Sequence, residues 1–95
     1  MNEQEWTDKL QQEGFTDIRV CPIPPNTESP EHTHDQHTVH VILEGELIIT
    51  NKDGTKAYGS GARVDFPAGE THRAKGKTDK GTMIVGIKQE PSKTK

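Results

Sequence analysis

HTVHVILEGELIITNKDGTKAYG, residues 37–59, decides how the chain folds. Thr, Val and Ile crowd this stretch, and two turn signals interrupt it, Glu44-Gly45 and the Asn51–Gly54 run NKDG. β-branched residues punctuated by Gly and Asn/Asp are the sequence form of short strands joined by tight turns. The stretch reads as two or three strands, with both signals as hairpin turns. Side chains alternate faces along a strand, so Val39, Val41 and Leu43 point away from His40 and Ile42. The first set is expected to pack on an outer layer or a partner subunit. Leu47, Ile48 and Ile49 are apolar without a break, as expected of a strand covered on both faces.

Upstream, residues 3–13 (EQEWTDKLQQE) are good helix formers, with Trp6 and Leu10 at i and i+4 and Gly14 as a stop. One short helix is predicted, docked through Trp6 and Leu10. TDIRVCPI then alternates, with Ile18, Val20 and Pro22 on one face, and PIPPNTESPE suits an irregular or edge segment. Downstream, ARVDFPAGETHRA gives a strand, a turn at Pro67–Gly69 and a second strand start, and TMIVGIKQ gives a last strand containing a glycine. The division is residues 1–14 as a helix packed on the body, 15–89 as an all-β barrel domain, and 90–95 as a disordered tail.

Ninety-five residues make one domain, and with 27% apolar residues and a mean hydropathy of −0.92 its core is thin. A bound metal or a second subunit would help to stabilise it. A net charge of −3, with Lys and Arg scattered, forms neither the basic stripe of a nucleic-acid binder nor a polybasic membrane patch. The single cysteine, Cys21, forms no disulfide within the chain. No stretch is long and apolar enough to span a bilayer, and the polar N-terminus does not read as a signal peptide. A cytoplasmic protein is expected.

Four of the five histidines fall in EHTHDQHTVH, residues 31–40. At even strand spacing His32 and His34 project to one side, ~6.6–6.8 Å apart, and Thr38 and His40 continue that face while His37 points away. A bulge at Asp35-Gln36 would break this parity. His72 follows the Pro67–Gly69 turn, which can carry a distant third ligand opposite the first two. Three imidazoles without a thiolate suit one divalent ion (iron, zinc, nickel, manganese or copper) in a site with open positions. The alternative is a loop decorated with solvated histidines.

These residues resemble the two signature motifs of the cupin superfamily. In G-x5-H-x-H-x3,4-E-x6-G, His32 and His34 match the histidine pair and Gly45 the last glycine; in G-x5-P-x-G-x2-H-x3-N, Gly61, Pro67, Gly69 and His72 fall at every interval. Asn26 replaces the first glycine, Gly76 the closing asparagine, and Thr38 the glutamate ligand. The resemblance implies a small single-domain jelly-roll barrel, often a homodimer, with a metal and a pocket inside. Without the glutamate, a neutral His32–His34–His72 set is similar to the iron site of thiol and β-diketone dioxygenases, and His40 is left in the pocket wall as a proton donor or fourth ligand. The ion would keep its full charge and favour a small anionic ligand or substrate. The implied function is a metal-binding cupin, with a non-haem-iron dioxygenase as its enzymatic form. The alternative is a non-catalytic sensor or accessory protein.

The remaining candidates read as follows. Val64 and Phe66 line the barrel, Tyr58 is structural before it is a substrate contact, and Cys21 is an inert thiol. Glu44, Glu46 and Asp65 are solvated charges. Arg19, Arg63 and Arg73 are able to steer an anion, but nothing in the sequence places them in the pocket.

Overall fold

A computed structural model describes residues 1–23, 35–76 and 81–88 of the chain. Asn2 opens a helix, α1 (Glu3–Gln12), through a capping box. Its side chain accepts from the Glu5 N–H at 2.8 Å, and its own N–H donates to Glu5 Oε1 at 2.9 Å. The Gly14 N–H closes the last turn on the Gln11 carbonyl. Trp6 and Leu10 are the buried residues of α1.

Seven strands follow: β1 (Thr16–Pro22), β2 (His37–Glu44), β3 (Leu47–Asn51), β4 (Gly54–Tyr58), β5 (Arg63–Phe66), β6 (His72–Gly76) and β7 (Thr82–Lys88). They form two antiparallel sheets, ordered β1-β7-β2-β5 and β4-β3-β6. This is the all-β barrel that the sequence predicted, with its one short helix.

The NKDG signal makes a hairpin, with Asn51 opposite Gly54. The Glu44-Gly45 signal does not. Both edges of β2 are taken, by β5 and β7, so β3 has no edge of β2 to pair with and starts the second sheet. The turn is therefore a corner between sheets, and Ile42 before it and Leu47 after it meet in one cluster. Gly54 sits at φ 119, a conformation that L side chains rarely adopt, and a methyl added there would meet nothing within 4 Å. Gly54→Ala is therefore expected to destabilise by backbone strain alone, about 1–3 kcal/mol, read as a fall in the urea midpoint at unchanged slope.

The β1-β7-β2-β5 sheet separates two apolar clusters. On its outer face Trp6, Leu10, Phe15, Val39, Val41 and Ile84 pack together; on its inner face Ile42 and Phe66 meet Ile23, Leu47 and Ile49. The outer cover over Val39 and Val41 is thus α1 itself. The cover ends before Val20, which is 40% exposed on edge strand β1, while Ile18 on the same face packs against the cluster. A bulge between Thr16 and Arg19, with Asp17 at φ 50, marks where β1 bends. Gly86 lies under this layer, since a Cβ there would meet Ile18 Cγ1 at 3.3 Å and Phe15 Cβ at 3.5 Å. Ile48 departs from the two-sided burial expected of its run. Leu47 and Ile49 face inward and are buried, while Ile48 faces outward and is half-buried.

Candidate functional site

His72 opens β6 directly opposite Asn51 of β3, on the barrel-facing side of the sheet, and is 1% exposed. Its ring stacks on Phe66 with centroids 3.9 Å apart and planes 16° from parallel. Nδ1 lies 3.4 Å from the Glu70 carbonyl. A carbonyl only accepts, so the tautomer that makes this contact carries its proton on Nδ1; Nε2 is shielded from solvent.

His40 reaches the same ring from the other sheet. It pairs with Val64 and Val85 across β2, and meets Phe66 edge-on at 5.1 Å and 75°. Phe66 therefore bridges two imidazoles that are 32 positions apart in sequence. Thr38 is 3% exposed, and its hydroxyl donates to the Gln36 carbonyl at 3.2 Å. That hydroxyl is spent on the backbone.

His37 faces the other way. It meets the Phe15 ring edge-on at 5.5 Å and its Nε2 lies 2.8 Å from Asp65 Oδ2. Parity along β2 thus holds, and His37 stands on the outer face, away from the barrel interior. Asp65, expected from sequence to be a solvated charge, is instead half-buried and bound by Arg63 through Nε (2.8 Å) and Nη2 (3.0 Å). The difference arises because β5 places Asp65 opposite Val39, under the Phe15 end of the outer cluster. Arg63 also grips Glu13 with two bonds, of 2.9 and 2.8 Å, and Lys9 adds a third cationic contact at 2.9 Å. The hydrogen bond from Arg63, then that from Lys9, pulls the Glu13 carboxyl down to about pKa 2. Burial works to raise Asp65, but hydrogen bonds from Arg63 and His37 hold it below the ordinary carboxylate value. Arg63 is thus committed to the outer face.

Of the other two arginines, Arg19 is exposed on β1, and Arg73 lines a cleft of about 680 Å³ with Thr50, Lys52, Pro67 and Glu70. Burial raises the Cys21 thiol above its ordinary value, in line with an inert sulfur. Val64 and Tyr58 pack against the inner cluster.

His32 and His34 lie outside the described residues, as do Asn26 and the tail 90–95. Among the described residues no three His, Cys, Asp or Glu side chains gather as a metal shell would. No helix among them is long and apolar enough to cross a membrane.

Residues 19–87 match the Cupin domain family. The chain belongs to this family. A cupin superfamily protein from Desulfitobacterium hafniense superposes with a TM-score of 0.68 at 22% identity, over 77% of this chain and 66% of that one. A cupin-2 domain containing protein from Shewanella frigidimarina does so at 0.65 and 18% identity, over 90% and 92%. These likenesses are of fold. In sequence, the cupin is 27% identical over 90 residues to the H2HPP isomerase of Bacillus subtilis, which covers 90% of this chain but 38% of the isomerase. The chain thus spans well under half the length of that relative.

Sequence reasoning missed two features. Phe66, expected only to line the barrel, is the contact between both inward histidines. Lys56 also faces the barrel, opposite Ile49. Its signal was present, because even spacing from Tyr58 and the NKDG register together assign its face.

Proposed function

We propose that this cupin holds one divalent metal ion between His72 and the His32–His34 pair, and acts on a small anionic ligand that chelates it. The observation that carries this reading is His72: a buried imidazole on the inward face of β6, its Nδ1 against a backbone carbonyl and its Nε2 out of solvent. A carbonyl on the far nitrogen is the usual support of a metal-ligating histidine, fixing tautomer and ring plane. The one ligand among the described residues therefore fits the group.

When bound, the ion supplies Lewis-acid polarisation and, if it is iron, oxygen chemistry of the dioxygenase type. The chain's own residues do the rest. Phe66 fixes the His72 plane by stacking and keeps water off that face. With Thr38 in the glutamate position and its hydroxyl on the Gln36 carbonyl, no carboxylate offsets the charge at that place, which selects an anion. His40, whose Nδ1 is out of solvent, is placed to hold a proton beside the ligand.

A second reading is isomerisation, favoured by the likeness to H2HPP isomerase. It needs no oxygen, only a polarised group and a proton carrier, for which His40 serves. A non-catalytic ligand-binding role is the third outcome of the same experiment.

The test is elemental analysis of untagged protein beside His72→Ala and His37→Gln. About one equivalent of metal is expected in the native chain and in His37→Gln, with a loss of at least ~tenfold in His72→Ala. Equal metal in all three would end the His72 assignment. Oxygen uptake with diketones or thiols then supports the dioxygenase, whereas solvent deuterium entering a recovered ligand without oxygen uptake supports the isomerase.

A further inference from the structure

β4 has its polarity reversed. Gly54, Lys56 and Tyr58 pair with Asn51, Ile49 and Leu47, the inward residues of β3, so they face the barrel. Thr55 and Ala57 face out. A strand built only to pack would place Ala57 inward and the lysine outward. Here the lysine takes the barrel-facing side of an edge strand, with its side chain exposed. Lys56 Nζ stands 5.6 Å from the Tyr58 ring centroid, in a recess of about 330 Å³ lined also by Ile49, Asn51 and Asp53.

The register relates this recess to the inward histidine. His72, Asn51 and Gly54 form one row across the sheet, and Ala74, Ile49 and Lys56 form the next inward row. The α-carbons of His72 and Lys56 are therefore separated by two strand spacings and one two-residue step, roughly 12 Å. Side chains that rise side by side from one face of a sheet keep roughly that separation at their ends, which leaves room for a short chain between them.

We propose that Lys56, with the Tyr58 hydroxyl as a second donor, is an anion subsite that selects ligands carrying an acidic group remote from the end at His72. The two-ended ligand rests on the metal reading above; the subsite itself does not. Ile49 and the Tyr58 ring supply an apolar wall for the connecting chain, and Asn51 stands between the two ends. Asp53 is the opposing charge at the rim, and it disfavours a ligand with a third acidic group there. The substrate class is thus a short, linear dianion, about five or six carbons long, rather than a monoanion with an apolar tail.

The subsite is tested first without metal. Metal-stripped, ¹⁵N-labelled protein is titrated with glutarate and with neutral glutaramide. Glutarate should move the amides of Asn51, Lys56 and Tyr58 saturably, and Lys56→Met should weaken binding about tenfold or more while Lys56→Arg retains it. Lys56 is exposed, so unchanged resonances elsewhere will show that the variants fold. Equal shifts with glutaramide, or an unaltered affinity in Lys56→Met, would overturn the proposal. Metal-loaded protein is then offered 2-oxoglutarate and 2-oxopentanoate, which share a chelating end. A preference for the dianion of about tenfold, lost in Lys56→Met, supports the two-ended ligand. Equal binding of both defeats it and leaves the metal site standing. Should the native protein take no metal, the reading above fails, and the glutarate titration still decides the subsite.

Discussion

Phe66→Ala is expected to leave the chain largely unfolded near 37 °C. Phe66 is 1% exposed and lies in the inner cluster with Ile42, Leu47 and Ile49. Removing a buried phenylalanine costs about 3–5 kcal/mol in transfer and cavity terms. A domain of this length has only about 5–15 kcal/mol in hand, and a thin core puts it at the low end. The ring also makes two histidine contacts, worth about 0.5–1.5 kcal/mol each beyond area. Phe66→Leu separates the two roles. It refills most of the volume and should cost about 1–2 kcal/mol, a Tm fall of roughly 4–16 °C at this size. The stack that fixes the His72 plane is lost in it completely. Circular dichroism on both variants, with metal content on the leucine variant, reads each effect. A stable Phe66→Ala would show that the inner cluster does not depend on this ring.

Much of this fold is legible in the sequence because alternation and turn chemistry are local. The NKDG register, the parity of β2 that turns His37 out and His40 in, and the Trp6–Leu10 stripe all follow from spacing of four residues or fewer. Glu44-Gly45 misleads for the opposite reason. Whether a turn is a hairpin or a corner depends on which strands already flank β2, and β5 and β7 arrive some 20 and 40 residues later. Val20 and Ile48 fail similarly, because alternation names a face without saying how far a neighbouring layer extends over it.

The site divides along the same line. The spacing from Gly61 to His72 singles out His72 as a candidate ligand through its resemblance to the second cupin motif, and His72 is the buried histidine among the described residues. Phe66 needed the pairing of distant strands, since its ring matters through contacts with a histidine on β2 and another on β6, whereas the face of Lys56 follows from the local NKDG register. Asp65 illustrates the limit for charges. Acidic residues in strands are usually hydrated, and only the arrival of Arg63, Glu13 and His37 around one position makes this one part of the framework.

That framework yields the second large effect. Arg63→Met is expected to destabilise the protein at pH 7 by about 2–4 kcal/mol. The guanidinium joins the carboxylate at the end of α1 to the one on β5, and its loss leaves two half-buried carboxylates without their main counter-charge. The partial exposure of both acids places the figure below that of a fully buried pair. The acid dependence separates this account from lost packing. Glu13 has its carboxyl lowered from 4.5 to about 2 on folding, so its contribution is fully present above pH 4.5 and fades as pH falls from there toward 2. Asp65 is also held below its ordinary 3.8, so its contribution too is lost as the pH falls below that value. The gap in stability between native protein and Arg63→Met should therefore narrow as the pH falls, by about 1–2 kcal/mol between pH 7 and pH 2.5 after allowing for solvent screening. Urea titrations of both proteins across that range give the measurement. A constant gap would assign the arginine's effect to the stacking of its guanidinium over Phe15, whose ring centroid lies 5.7 Å from Cζ.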